Sequence, residues 1–146
     1  MLTYVPDLVA EWLSDMNEFS GCHFTTLYPS VNKSIPVEKT TVVLSMGNFL
    51  ISKTENTTIP ENCRAISYDI NITIFAPLNY GADICIDTLE RIYDQLIFNS
   101  PLDIKSVKCE RAVYDKMIEA IALRATVTVA DTITKGEYYP AALIIK

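Results

Sequence analysis

Few residues in this chain have the chemistry to attack a substrate, shuttle a proton or hold a metal. The single histidine, His23, follows Cys22 directly in "GCHFTT". Neighbours along an extended chain point to opposite faces, so the two cannot serve one substrate atom as nucleophile and base. The four cysteines, Cys22, Cys63, Cys85 and Cys109, are far apart and form no CxxC pair. They are read as small buried apolar side chains, not as a disulfide or a metal site. Carboxylates recur four residues apart, Asp83 with Asp87 and Glu90 with Asp94. That spacing suits acid–base work or a hard cation, but on a helix it also describes a solvated face, which is the reading taken.

The stretch "TIFAPLNYGADICIDTLERI", residues 73 to 92, passes from a strand pattern to a helix pattern through Pro77 and Gly81. Junctions of this shape hold phosphates when several glycines expose backbone N–H groups at a helix start. One glycine is too few. No GxSxG, HExxH, P-loop or GxGxxG spacing occurs elsewhere. No catalytic residue, metal ligand or cofactor site is therefore predicted, and the chain is expected not to be an enzyme. The junction is a scaffold joint.

The elements that such residues would hang on can be traced in order. Val5, Leu8, Val9, Trp12, Leu13 and Met16 fall on one helical face, with Pro6 and Asp7 suited to the first turn. An extended piece from Cys22 leads to a polar loop, residues 31 to 41, long enough to suggest a role of its own. "TTVVLSMGNFLISKTE" reads as two short strands around a tight turn at Met46-Gly47-Asn48. "CRAISYDINITIFAP" is the clearest strand, with Ile66, Tyr68, Ile70, Ile72 and Ile74 on one side and Ser67, Asp69, Asn71 and Thr73 on the other. Pro77 ends it.

A helix over residues 82 to 98 presents Cys85, Leu89, Ile92 and Leu96, joined by Ile86 and Tyr93. "IKSVKCERAVYD" is read as one strand with Val107, Cys109 and Val113 on a common side. After a turn at residues 115 to 118 the chain returns with Ile121, Leu123, Ala125, Val127 and Val129 on one face. The fold class that follows is α+β: a mainly antiparallel sheet with two helices packed on one face, a long loop and an extended C-terminal tail. Residues 1 to 133 are expected to form a single domain, and 134 to 146 a tail used in assembly.

The composition is globular, with 146 residues, 49% hydrophobic and 21% charged. A net charge of −6 with scattered Lys and Arg argues against specific nucleic-acid binding. No apolar run reaches the roughly 18 residues of a membrane span, and the start "MLTYVPDLVAEWL" lacks the basic-then-apolar order of a signal peptide. Synthesis and retention in the cytoplasm are expected, without a membrane partner. Three features favour assembly: the loop, the polar strand face and the apolar C-terminus. The expected partner contacts are Val31, Asn32, Lys33 and Ile35 in the loop and Tyr138, Tyr139 and Leu143 in the tail, which could add a strand to a neighbour's edge. Asp69, Asn71 and Thr73 form the polar strand face.

The passage Tyr68, Ile70, Ile72, Ile74, Ala76-Pro77-Leu78, Gly81 and Cys85, then "LERIYDQL" and "KCERAVYDKMIEAIALRATVTVAD", resembles the tail terminator (tail-completion) proteins of long-tailed phages and phage-tail-like bacteriocins. The resemblance covers most of residues 1 to 133. It implies an α+β subunit of a homo-oligomeric, hexameric ring that caps the tail tube, and the sheath in contractile particles, and docks neck or connector proteins. It places the protein in the assembled virion or tail-like particle. The polar strand face, Asp69, Asn71 and Thr73, would line the lumen of the implied ring. A different head–tail connector or neck subunit, such as a stopper or tail-joining protein, is the alternative within that class. A small ligand-binding or hydrolytic domain is the alternative outside it.

Overall fold

The computed structural model describes residues 4–27, 37–52 and 63–134. Helix α1 is Val5–Ser14; then come strands β1, His23–Thr25, β2, Thr41–Ser52, and β3, Cys63–Ala76. Helix α2, Ala82–Asp94, continues through a π-helical turn, Gln95–Asn99, into β4, Asp103–Cys109, β5, Val113–Asp115, and β6, Ala120–Thr134. The strands form one sheet in the order β1-β2-β3-β6-β4, with β5 also on β6. Every pairing is antiparallel except β1 with β2.

β3 is the centre of the molecule. All 14 of its residues pair with β6, from Cys63↔Thr134 to Ala76↔Ile121, and its other side pairs with β2. Strict alternation sends Ile66, Tyr68, Ile70, Ile72 and Ile74 to one face, where each is buried. Leu123, Ala125, Val127 and Val129 of β6 continue that face. Both helices cover it, α1 with Val5, Val9 and Leu13 and α2 with Cys85, Leu89 and Ile92, followed by Leu96. This is the α+β arrangement with helices on one side of the sheet that the residue pattern predicts.

Pro77 closes β3, and a short 3₁₀ turn, Leu78–Tyr80, leads to Gly81 at φ 77°. That backbone region costs a side chain about 1–2 kcal/mol, so glycine belongs where the chain swings into α2. Ile86 is exposed, contrary to its expected place on the apolar seam. It lies one residue past Cys85, about 100° around the helix, outside the stripe that reaches the sheet.

Two strand expectations and the reading of the cysteines are corrected. Met46, Gly47 and Asn48 do not turn the chain: β2 runs through them as a single strand with a register shift between Met46 and Phe49. Glycine and asparagine here make a bulge, which uses the same residue types as a tight turn. Likewise the stretch expected as one strand before the turn is two, β4 and β5, interrupted at residues 110–112, and Val113 is exposed. Of the cysteines, only Cys85 is fully buried; Cys22 and Cys63 are half-buried and Cys109 is exposed.

A second, smaller core sits on the opposite face of the sheet at one end. Val37, Val43, Phe75, Ile118, Ala120 and Ala122 meet there. The turn between β5 and β6 supplies Ile118 and is held by Asp115, whose carboxylate accepts the N–H groups of Met117 and Ile118 and pairs with Arg124 at 3.3 Å. Away from that end, the helix-free face is polar.

Candidate functional site

The polar face is built by the register of three strands. Asp69 lies opposite Thr128, Asn71 opposite Thr126, and Thr73 opposite Arg124, with Ser45 of β2 beside Asn71. Thr128 donates its hydroxyl to Asp69 at 2.8 Å, and Thr126 donates to Asn71 at 3.3 Å. Gly47 at the β2 bulge comes so close that a Cβ there would stand 3.0 Å from Asp69 Cβ and 3.1 Å from the Asn71 amide. On the β4 side, Lys108, Glu110 and Arg124 border a shallow depression of about 240 Å³ floored by Asn71 and Thr126. This surface offers charges and amides for recognition.

Three of the thiols are held in their protonated form by burial. Burial pushes Cys85 up to about 11, and its Sγ donates weakly to the Ile74 carbonyl at 3.7 Å. Burial also raises Cys22 and Cys109, the latter helped by the neighbouring Glu110. Tyr68 is fully buried, and burial, with a contribution from Asp131, pushes its phenol well above the ordinary range. Its hydroxyl has no hydrogen-bond partner among the described residues. Asp83, Asp87, Glu90 and Asp94 all lie on the exposed side of α2, where Asp87 pairs with Arg91 four residues on. Among the described residues no group of three or more His, Cys, Asp or Glu could hold a metal. No described helix is long and apolar enough to cross a membrane.

Two further surfaces lie at the edges of the sheet. β1 covers β2 only at Thr41–Val43, so the outer edge of β2 from Leu44 to Ser52 has no strand beside it among the described residues. Phe49, Leu50 and Ile51 follow one another there and are 56%, 65% and 48% exposed. At the other edge, β4 is likewise unpaired on its outer side among the described residues. Beside it runs an apolar groove of about 380 Å³ between β4 and the end of α2, lined by Leu89, Tyr93, Ile97, Ile104, Val107 and Cys109.

Asp69, Asn71 and Thr73 share the helix-free face as their alternation requires. Asp69 and Asn71 are half-buried, whereas Thr73 is only 4% exposed, between Val43 and Arg124. Thr73 therefore offers almost no surface to a lumen. Val31, Asn32, Lys33, Ile35, Tyr138, Tyr139 and Leu143 lie outside the described residues. The edge residues Phe49 to Ile51 were not among the expected contacts. The signal was present, three consecutive apolar residues after Gly47-Asn48, but a turn at that point would have placed them in a separate strand. Compared with known proteins, the chain matches no family model and no curated protein.

Proposed function

We propose that this chain is a structural subunit of a phage or phage-tail-like particle: a tail terminator that forms a hexameric ring, caps the tail tube or sheath and docks the neck. The observation that carries this reading is a sheet with helices on one face only, a polar opposite face and two uncovered edges among the described residues. Such a layer offers broad surfaces to neighbouring subunits. In this reading Asp69 and Asn71 face the lumen, and the net charge of −6 keeps DNA passing through the ring from sticking. The ring assembles in the bacterial cytoplasm and becomes part of the particle.

The test is assembly state with and without tail tubes. Native mass spectrometry of the purified protein, and electron microscopy after adding polymerised tube, should show hexameric rings seated on tube ends. A chain that stays monomeric at high concentration, and that tubes fail to convert into rings, overturns the proposal. Rings that ignore tube ends but bind a head connector would reassign the subunit to the neck.

A further inference from the structure

The two edges of the sheet that no described strand covers differ in a complementary way. The β2 edge carries protruding apolar side chains, and the β4 edge borders an apolar groove. Their faces also match. Phe49 lies opposite Tyr68 and Ile51 opposite Ile66, so both stand on the helix side of the sheet. On β4, Ile104 lies opposite Val129 and Val107 opposite Val127, which places the groove on that same side. Three successive antiparallel pairings, β2 with β3, β3 with β6 and β6 with β4, make β2 and β4 run in opposite directions.

We infer that β2 of one copy pairs antiparallel with β4 of the next, continuing the sheet from subunit to subunit and seating Phe49 and Ile51 over the groove formed by Ile104, Val107, Tyr93 and Ile97. The occupant of each edge is a second copy of this chain. Copies related by a rotation about an axis parallel to the strands keep the same strand direction, so their facing edges are already antiparallel, and the helices stay on one side of the joined sheet. Charge agrees as well. Exposed Lys108 stands on the polar side of the β4 edge, and Asp69 stands on the polar side next to Gly47 at the β2 edge. A two-fold β2-to-β2 pairing would satisfy the first edge but leave the groove and the β4 edge uncovered.

The apolar area at the edge is small. At the roughly 150–250 Å² that a large side chain presents, Phe49 and Ile51, the two on the helix side, expose on the order of 200 Å². That is well under the ~800 Å² per partner of a durable pair, so one contact holds weakly. A ring in which every copy makes the contact twice leaves no edge open and gains from closure. The inference rests on the proposal that the chain self-assembles, and it names the surfaces that do so.

The experiment uses two surface variants, Phe49→Lys on the β2 edge and Ile97→Lys on the wall of the groove, in the full chain. Circular dichroism checks that each folds, and sedimentation velocity is run under the conditions where the wild type assembles, with tail tubes if these are required. Each variant alone should need at least about tenfold more protein to assemble, the least that a charge placed in an apolar contact implies. Mixed together, they should form nothing larger than a heterodimer, because only one intact edge meets one intact groove. If Ile97→Lys assembles like the wild type, or the mixture closes into rings as the wild type does, the edge-to-groove pairing is wrong while a ring made by other surfaces still stands. If the wild type forms no assembly with or without tubes, both the pairing and the ring reading fall. A Phe49→Lys variant that loses thermal stability with no change in assembly shows that the edge is covered within its own chain, which also overturns the pairing.

Discussion

Thr128 donates its hydroxyl to the Asp69 carboxylate at 2.8 Å across the β3–β6 ladder, on the face that neither described helix covers. Hydrogen bonds to charged groups contribute about 1.5–3 kcal/mol when water is excluded, and less where water can replace the lost donor. Both residues are half-buried. Thr128→Val should therefore cost no more than about 1.5 kcal/mol in urea unfolding. Ile70→Ala, one residue from Asp69 but facing the helices, should cost about 2–5 kcal/mol. Equal losses at the two positions would mean that the polar face is sealed.

Tyr68 offers a sharper case, since its ring is fully buried and its hydroxyl lacks a partner among the described residues. An unmet buried hydroxyl opposes folding, so Tyr68→Phe keeps the packing and removes the cost. The variant should be as stable as the parent or up to about 1 kcal/mol more stable. A loss exceeding that in chemical denaturation would reveal a partner for the phenol.

Backbone geometry gives opposite expectations at two positions. Glu119 has φ 55°, the left-handed region, and Gly81 has φ 77°. Glu119→Gly should raise stability by about 0.5–1 kcal/mol, and Gly81→Ala should lower it by about 1 kcal/mol. Gly47→Ala fails for a different reason: its methyl would meet Asp69 Cβ at 3.0 Å. Crowding of that kind costs about 1–3 kcal/mol. Thermal melts of the three variants separate strain from crowding, because pairing Gly47→Ala with Asp69→Gly should recover part of the loss while Gly81→Ala gains nothing from it.

The buried thiol sets an alkaline limit. Cys85 is raised by burial from 9.0 to about 11, so the folded state holds its proton longer than the unfolded chain does. Its contribution is complete below pH 9 and is lost as pH climbs through 11. The wild type should lose stability across that window, and Cys85→Ala, less stable at neutral pH, should lose less over the same range. Thiol labelling of the native protein at pH 8 should mark exposed Cys109 first and Cys85 last. Fast labelling of Cys85 would show that α2 opens readily.

What could be read from the residues alone follows from locality. β3 and β6 were legible because alternation over a long strand has one interpretation, and α1 because its buried positions recur every four residues. The β2 bulge was not, since a Gly-Asn pair serves turns and bulges alike and only the approach of Asp69 and Asn71 distinguishes them. The break between β4 and β5 was hidden because Glu110, Arg111 and Ala112 carry neither Gly nor Pro. Asp69 and Asn71 were placed correctly on a polar face, but the cover over Thr73 depends on Val43 and Arg124, one 30 residues before it and the other 51 after. Edge exposure at Phe49 to Ile51 depends on strand order, which no local pattern encodes.

The central position of β3 also sets a timetable during synthesis. Its partner on one side, β2, has already been made when β3 leaves the ribosome, whereas the last residue of β6 follows roughly 60 residues later. At 5–20 residues per second that is an interval of about 3–12 s. For those seconds the isoleucine-rich strand at the heart of the sheet has one ladder of main-chain groups unsatisfied. Nascent chains on one messenger are most open to mispairing in that interval, and a holding chaperone would have its greatest effect there.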